Sequence, residues 1–465
     1  MSIRANHLAL CLLSTLCAID ARAEAPWDQI LGPTQAKLPA ARAALAEAVQ
    51  VVTFHLSTAA SRVKWETDLS KALEQAKAEG RPVFVTMRCL PCKSCSDFDK
   101  DVLEGGDDLD PLLLQFVTVR LTSAKDVDMR LLPMGRFEDM DTSWWGWLLS
   151  PEGRIYGVFG GRDASGDAGR TSKKALIATL KRVLDHHYDP RRSTWNIDGP
   201  LPKLDGDPAT PATLPGYQNW LGKGHKGEAL KKQECMHCHE VQEILHQTAI
   251  DAKTFDKKTD LEIWPLPENT GITLDRDDGL RVKMVKDGTA AAKAGIKAGD
   301  RLGGASGRRL FSQADFRAAL HQTPKKGPAS IEVIWLRGDQ VMKGALELAD
   351  GWRKSNNMWR VSLAEGVIGS APGFWPLDGG KYREKLGLAG DAMSVAPYYG
   401  KDPQGPAFAA GLRAEDVITA VNGQSPNFAG RQWLVWFRLT FEKGEEIKMS
   451  VVDAKGEKKM IAYRP

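Results

Sequence analysis

RPVFVTMRCLPCKSC, residues 81–95, runs from an apolar stretch directly into a cysteine cluster. A proline introduces Val83 to Met87, which is short, β-patterned and nearly all apolar, as a buried strand is. Beyond the cysteines, Phe98, Val102 and Leu103 recur at helical spacing, so the cluster falls where the carboxyl end of a strand meets the start of a helix. A thiol there feels the positive end of the helix dipole, which lowers its pKa and raises the thiolate fraction. Two thiols three residues apart can also close a disulfide, so the spacing reads as a dithiol redox site.

The flanking segments complete an α/β unit. Leu69 to Ala78 is amphipathic at helical period, Phe116 to Leu121 is strand-like, and Ser172 to His186 closes the unit as a helix. Trp144 to Leu149 and Arg154 to Phe159 flank Ser150-Pro-Glu-Gly153 and read as a hairpin, with Trp144, Trp145 and Trp147 as core and edge residues. Residues 64–188 resemble the thioredoxin fold, with Pro82-Val-Phe-Val as the first central strand and Gly153 to Gly160 in the later hairpin. Three cysteines leave two registers open. Cys89 and Cys92 enclose Pro91 and precede Lys93 in a C-x-P-C-K spelling, whereas Cys92 and Cys95 match the distance from Pro82 in exported thioredoxin-like proteins. The reading adopted makes Cys92 the attacking thiol, Cys95 the resolving thiol and Cys89 a third redox partner, against a structural metal site of three thiolates. Asp141-Thr-Ser-Trp-Trp145 supplies no proline where the resemblance places a cis-proline, so substrate docking is expected to differ.

Length and composition set the frame. A chain of 465 residues is expected to hold three or four compact units. Its 42% hydrophobic and 26% charged residues exclude a wholly disordered chain. A net charge of +4 with no basic run excludes a nucleic-acid footprint, and beyond the first 25 residues no apolar stretch is long enough to span a bilayer. Residues 1–23 read as a signal peptide: Arg4 is followed by the apolar run Leu8 to Leu16 and by Ala21-Arg-Ala23. The protein is therefore expected in the periplasm or secreted. Five of the seven cysteines lie beyond that signal, in two close clusters, which indicates redox or ligand chemistry rather than a scattered disulfide scaffold.

The second cluster, Cys235-Met-His-Cys238-His239, is C-x-x-C-H, the attachment spelling of c-type haem. Two thiols add to the vinyl groups and His239 becomes the proximal iron ligand. His225, His237, His246 and Met284 are the distal candidates. Zinc on Cys235 and Cys238 with two histidines, or a second disulfide, is the alternative. Residues 217–267 are too short for a large core and are expected to need the cofactor or metal. Residues 189–216, rich in Pro, Gly and Asp, read as a linker, and 24–63 as a helical lead-in.

The last two hundred residues repeat. Ala290 to Asp300 aligns with Pro406 to Asp416, with Gly295/Gly411 and Asp300/Asp416 sharing one offset of 116 residues. Each copy is flanked by β-patterned runs and one helical run, Gln313 to His321 or Gly430 to Leu439. The copies resemble exported bacterial PDZ domains, over 268–352 and 384–465 with a connector at 353–383, although Glu415 replaces the usual glycine. That resemblance implies carboxylate-binding loops at Gly271, Ile272, Thr273 and Leu274 and at Leu386, Gly387 and Leu388, each leading into a strand that pairs with a partner peptide. No Gly-x-Ser-x-Gly or trypsin-like serine motif accompanies the pair, which argues against an HtrA-type protease. The whole order resembles a bacterial group of thioredoxin/PDZ-domain (seleno)proteins. The expected fold is multidomain: a thioredoxin-like α/β domain, a short helical C-x-x-C-H segment and two β-rich PDZ-like domains. The expected function is an exported thiol–disulfide oxidoreductase or electron-transfer protein that holds protein partners. A non-enzymatic scaffold is the alternative.

Overall fold

The computed structural model describes residues 25–32, 63–88, 93–104, 108–125, 127–162, 171–222, 236–383, 386–388, 390, 392–400 and 404–465. The expected signal and most of the lead-in lie outside them. Among the described residues no helix is long and apolar enough to cross a membrane.

The first unit is a five-stranded mixed sheet in the order β1-β3-β2-β4-β5. β1 (Trp65–Glu66), β3 (Val117–Leu121) and β2 (Val83–Met87) run parallel, and β4 (Ser143–Leu149) and β5 (Ile155–Arg162) are the antiparallel hairpin expected from the sequence. All five residues of β2 are buried, because the central strand is covered on both faces. α1 (Leu69–Glu79) starts where the Asp68 carboxylate accepts the N–H groups of Ser70 and Lys71, and ends at Gly80 in the left-handed region. α2 (Lys93–Phe98) follows the cysteine cluster, and α3 (Lys173–His187) starts on a Ser172 cap.

The segment around α4 (Cys238–Asp251) does not form a unit of its own. Val241 and Ile244, with Trp220, Met236 and Trp264, join the same apolar core as Val85, Val119 and Trp147 of the sheet. An amphipathic helix too small to bury its own face has buried it against the neighbouring sheet, where a cofactor was expected to hold it.

Two β-rich units follow, alike in element order except that the short strand Arg308–Arg309 of the first has no counterpart strand among the described residues of the second. The first has β6 (Ile272–Leu274), β7 (Val282–Val285), α5 (Ala290–Lys293), β8 (Arg301–Ala305), β9 (Arg308–Arg309), α6 (Gln313–His321), β10 (Ala329–Arg337) and β11 (Gln340–Leu348). After α7 (Val361–Ala364), the second has β12 (Trp375–Asp378), β13 (Val395–Tyr398), α8 (Pro406–Ala409), β14 (Val417–Val421), α9 (Gly430–Thr440), β15 (Ile447–Val452) and β16 (Lys458–Tyr463). The second unit thus begins with β12, inside the stretch expected to be a connector. Leu363, Ala364 and Ile368 from the same stretch pack into its core.

The units are fastened by buried polar contacts. At the edge of the first sheet, the Val158 N–H donates to Asp315 of α6 at 2.8 Å, and the Ser312 hydroxyl donates to the Val158 carbonyl. Asp139 and Asp141, in the loop before β4, meet Arg317 of α6 and Arg360 before α7. Arg360 bonds both Asp139 oxygens at 2.7 and 3.1 Å and Asp141 at 3.1 Å, while Arg317 reaches Asp139 at 2.8 Å. Ser362 donates its N–H and hydroxyl to Asp141 at 2.7 and 2.8 Å. Burial alone would raise the Asp139 carboxyl, but Arg360 and Arg317 outweigh it and hold the group below its ordinary value.

Replacing Arg360 by Met takes a cation from two buried carboxylates, leaving Asp139 with Arg317 and Asp141 with the Ser362 N–H and hydroxyl. The expected cost is about 3–5 kcal/mol, as for breaking a buried ion pair, whereas Ser362→Ala should cost about 1 kcal/mol. Thermal melting of both variants checks this ranking.

Candidate functional site

Cys89 and Cys92 lie outside the described residues. Cys95 falls in the first turn of α2, beyond the carboxyl end of β2. The helix then widens: Asp99–Leu103 forms a π turn, closed by the Glu104 N–H on the Asp99 carbonyl at 2.9 Å. Such turns recur at functional sites.

Asp99, four residues after Cys95, is fully buried. Its Oδ1 accepts the Trp144 indole N–H at 2.7 Å, and Arg88 and Arg120 each approach Oδ2 at 3.4 Å. Glu104 meets the same two arginines at 3.5 and 3.3 Å. Burial pushes the Asp99 carboxyl above its ordinary value against the opposing pull of the Trp144 bond and both arginines. Arg88 directly precedes Cys89, so the cluster begins beside a cation. Trp144 has φ +59°, strained for a bulky side chain, and its ring lies 4.3 Å from that of Phe98. It is the second residue of β4, in the segment where no proline stands. Asp99 and Arg120 were not singled out in the sequence, and Trp144 was read there only as a core or edge residue; the one local signal was an acidic residue on an apolar helix face.

Cys235 also lies outside the described residues. Cys238 and His239 open α4, and the His237 N–H ahead of them donates to Glu240 at 2.9 Å. His239 Nδ1 lies 3.2 Å from Glu243 Oε1, and Glu243 Oε2 accepts the Trp220 indole N–H at 2.8 Å. Burial disfavours the charged imidazole, but Glu243, with Glu365 and Glu240 nearby, carries it above its ordinary pKa. A histidine that gives Nδ1–H to a carboxylate presents Nε2 outward, the orientation of a metal-ligating imidazole. The donor types and the Glu243 contact on the His239 Nδ1 side fit haem iron or zinc.

A sixth ligand is less well provided. His246 is buried on the same helix, 3.0 Å from the Gln242 amide and pushed down to about 4 by burial. Met284 is exposed on β7, and His225 lies outside the described residues. Among the described residues no group of three or more His, Cys, Asp or Glu side chains is placed to hold a metal ion.

Gly271 has φ +95°, and a Cβ there would collide with the Thr289 side chain, so glycine is required. Ile272 and Leu274 are buried in β6 and Thr273 is half-buried. Asn269, just before this loop, donates to the carbonyls of Trp352 and Lys354 at 2.8 and 2.9 Å.

The second loop is displaced from its expected place. Leu386, Gly387 and Leu388 lie between β12 and β13, behind the strand that matches β6, not ahead of it. The 116-residue offset holds from α5 onward, but the 379–394 connection is longer than its 275–281 counterpart and shifts everything upstream. The position matching Gly271 is Gly373, at φ +82° directly before Phe374 and β12. Trp375, Leu377 and Tyr398 are all exposed there, and Trp375 pairs with Tyr398. Pro376 faces Pro397, and neither has an N–H to exchange, so the ladder bonds must fall at the flanking pairs. The Pro376 carbonyl and the Asp378 backbone therefore face the open edge of β12.

Residues 64–138 match a family model described as thioredoxin-like. Among solved structures, the chain is similar to an HtrA-type protease AlgW with decapeptide, at 20% identity over 29% of this chain and 48% of that one, with a TM-score of 0.18. A variant of that protease with decapeptide gives 21% identity, 29% and 40% coverage and a TM-score of 0.19. The chain thus spans less than half the length of either protease. No curated protein matches.

Trp144→Phe removes the indole donor from buried Asp99 and should cost about 1–3 kcal/mol. In Asp99→Asn the same change should cost less, a coupling that a double-mutant cycle of thermal melts measures.

Proposed function

We propose that this protein is an exported thiol–disulfide oxidoreductase acting through Cys92 and Cys95. The observation that carries the reading is the thioredoxin-like match over 64–138 together with Cys95 in the first turn of a helix beyond the central strand β2. The Cys92 thiolate attacks a partner disulfide, forming a mixed disulfide and expelling one partner thiolate. The Cys95 thiolate then attacks Cys92 sulfur and expels the second. Two electrons pass to the partner and the protein is left with a Cys92–Cys95 disulfide; the reverse sequence oxidises a partner dithiol. The helix dipole and the Arg88 cation favour the thiolate form at the start of α2.

In this reading Cys235, Cys238 and His239 hold a c-type haem, with zinc as the alternative, and Glu243 orients His239. A bound haem supplies one-electron redox chemistry. The two β-rich units are read as PDZ-like modules that keep protein partners close and so raise their effective concentration. The open edge of β12 supports peptide pairing in the second unit. A scaffold reading, with the cysteines purely structural, is favoured only by that edge.

Cys92→Ser should lower disulfide-reductase turnover by at least about a hundredfold, and Cys95→Ser should accumulate a mixed disulfide with the substrate on non-reducing gels. Unchanged turnover in both variants would sink the assignment in favour of the scaffold. Protein made in a host that matures cytochromes c should give a pyridine haemochrome signal of one haem per chain that is lost in Cys238→Ala. A colourless chain carrying one zinc would select the alternative.

A further inference from the structure

Helix α3 ends on two adjacent histidines, His186 and His187, whose rings are both held at both nitrogens. His186 is fully buried among Tyr156, Phe311 and Trp195, with ring centroids 5.1, 5.3 and 5.8 Å away. Its Nδ1 lies 3.1 Å from Nη1 of Arg309 on β9, and its Nε2 lies 2.6 Å from Oδ1 of Asp198. A guanidinium only donates, so Nδ1 is the acceptor and the ring proton sits on Nε2, given to Asp198. The contact therefore requires the neutral imidazole, in one tautomer.

The neighbouring groups continue the chain. Arg192 donates to Asp198 Oδ2 at 3.2 Å and to the Tyr156 hydroxyl, which in turn donates to His187 Nδ1 at 2.9 Å. His187 Nε2 gives its proton to the Gly80 carbonyl at 3.0 Å. One hydrogen-bonded path thus runs from β9 through α3, residues 192–198 and β5 to the end of α1. Burial, with Arg309 and Arg192, holds the His186 imidazole below its ordinary value against the pull of Asp198. Arg154 also faces Asp198, and Glu152 faces His187, which burial pushes down to about 4. Asp185 and Asp189 attract Arg309 and Arg182 repels it, but Asp189 is already paired with Arg191 at 2.7 Å.

A proton on Nδ1 ends this arrangement. The new N–H would face the Arg309 N–H, two donors and two positive charges in a buried site. We propose that His186 is an acid-sensitive latch between α3 and β9, released when a proton takes the Nδ1 lone pair that Arg309 uses. The release is local. Thr179 and Arg182 still hold the Phe311 carbonyl at 3.2 and 3.0 Å and Arg317 still holds Asp139, so the first β-rich unit stays attached while β9 and residues 192–198 loosen. Trp195 and Ile197 pack with Trp27 and Ile30 of the helical turn Trp27–Leu31, which loosens with them. The closed form binds fewer protons than the open one, so the latch is at full strength above the ordinary histidine value of 6.5 and weakens as the pH falls below it. It needs neither cysteine cluster.

Amide hydrogen exchange of the full-length protein at about pH 7.5 and about pH 5, corrected for the chemical pH dependence of exchange, tests this. The reporters are the Leu310 N–H on the Gly303 carbonyl and the Thr194 N–H on the Arg191 carbonyl, both at 2.9 Å. Their local opening should rise at least about tenfold from the higher pH to the lower, because the open form takes up one proton across more than one pH unit. In His186→Gln, whose amide can serve both Asp198 and Arg309 without titrating, the rise should stay within about twofold. Arg309→Gln, which removes the facing charge and can turn its amide oxygen to a protonated Nδ1, should cut the rise at least about threefold. If His186→Gln fails to fold, Arg309→Gln decides the matter. No rise in the unaltered protein, or a rise undiminished in either folded variant, would overturn the proposal.

Discussion

Asp139 stands at the centre of the buried charge cluster on which the arrangement of the chain depends. Its carboxylate is held by Arg317 from the first β-rich unit and by Arg360 from the segment leading to the second, and Arg360 also reaches Asp141 and the Ile263 carbonyl at 3.2 Å. Four stretches far apart in sequence therefore share one set of charges. Taking them out of water costs several kcal/mol per ion, so the cluster contributes little as an isolated pair. It acts as a constraint: any arrangement that separates these stretches leaves a charge buried alone. α6 is fixed accordingly, with Arg317 on Asp139 and Ser312 and Asp315 on the edge of β5. The first β-rich unit is thus built into the thioredoxin-like domain, while the second keeps an exposed strand edge at β12.

Both candidate clusters share one arrangement. Four residues after Cys95 stands Asp99, and four residues after His239 stands Glu243. Each carboxylate is fully buried and accepts an indole N–H, from Trp144 at 2.7 Å and from Trp220 at 2.8 Å. A buried carboxylate is tolerable only when hydrogen-bonded, and a tryptophan supplies the donor while filling the surrounding core. The two helices that carry the candidate residues, α2 and α4, are therefore each anchored through polar atoms one turn beyond Cys95 and His239. α4 gains a second anchorage by packing Val241 and Ile244 into the sheet's core, so its place is set by the fold whether or not a cofactor is bound.

The elements legible in sequence are those whose signal is local. The unbroken apolar run Val83 to Met87, the amphipathic period of Leu69 to Ala78 and the hairpin around Ser150-Pro-Glu-Gly153 each need only their own residues, and the structure has all three. The repeat was legible because Gly295 and Gly411 keep register, and its helices Gln313–His321 and Gly430–Thr440 follow from it. The second loop that the resemblance implied, Leu386 to Leu388, lies after β12, because the connection beyond that strand is longer than its counterpart in the first unit, and Gly373 stands ahead of β12 as Gly271 stands ahead of β6. What could not be read was the pairing of distant charges. Nothing around Asp139, Arg317 or Arg360 marks them as partners, because a buried ion cluster leaves no periodic pattern. The Asp99–Trp144 contact is hidden for the same reason.

The central claim is that the cysteine cluster after β2 is a reversible dithiol centre. Equilibrating the protein in buffers of graded thiol–disulfide potential, alkylating the free thiols and mapping the peptides by mass spectrometry tests it most directly. The account predicts one two-electron transition, with a tenfold change in ratio per about 30 mV, in which a Cys92–Cys95 disulfide appears and disappears. Cysteines at 89, 92 and 95 that stay in one state across the whole range, or that are released only by a chelator, would contradict it.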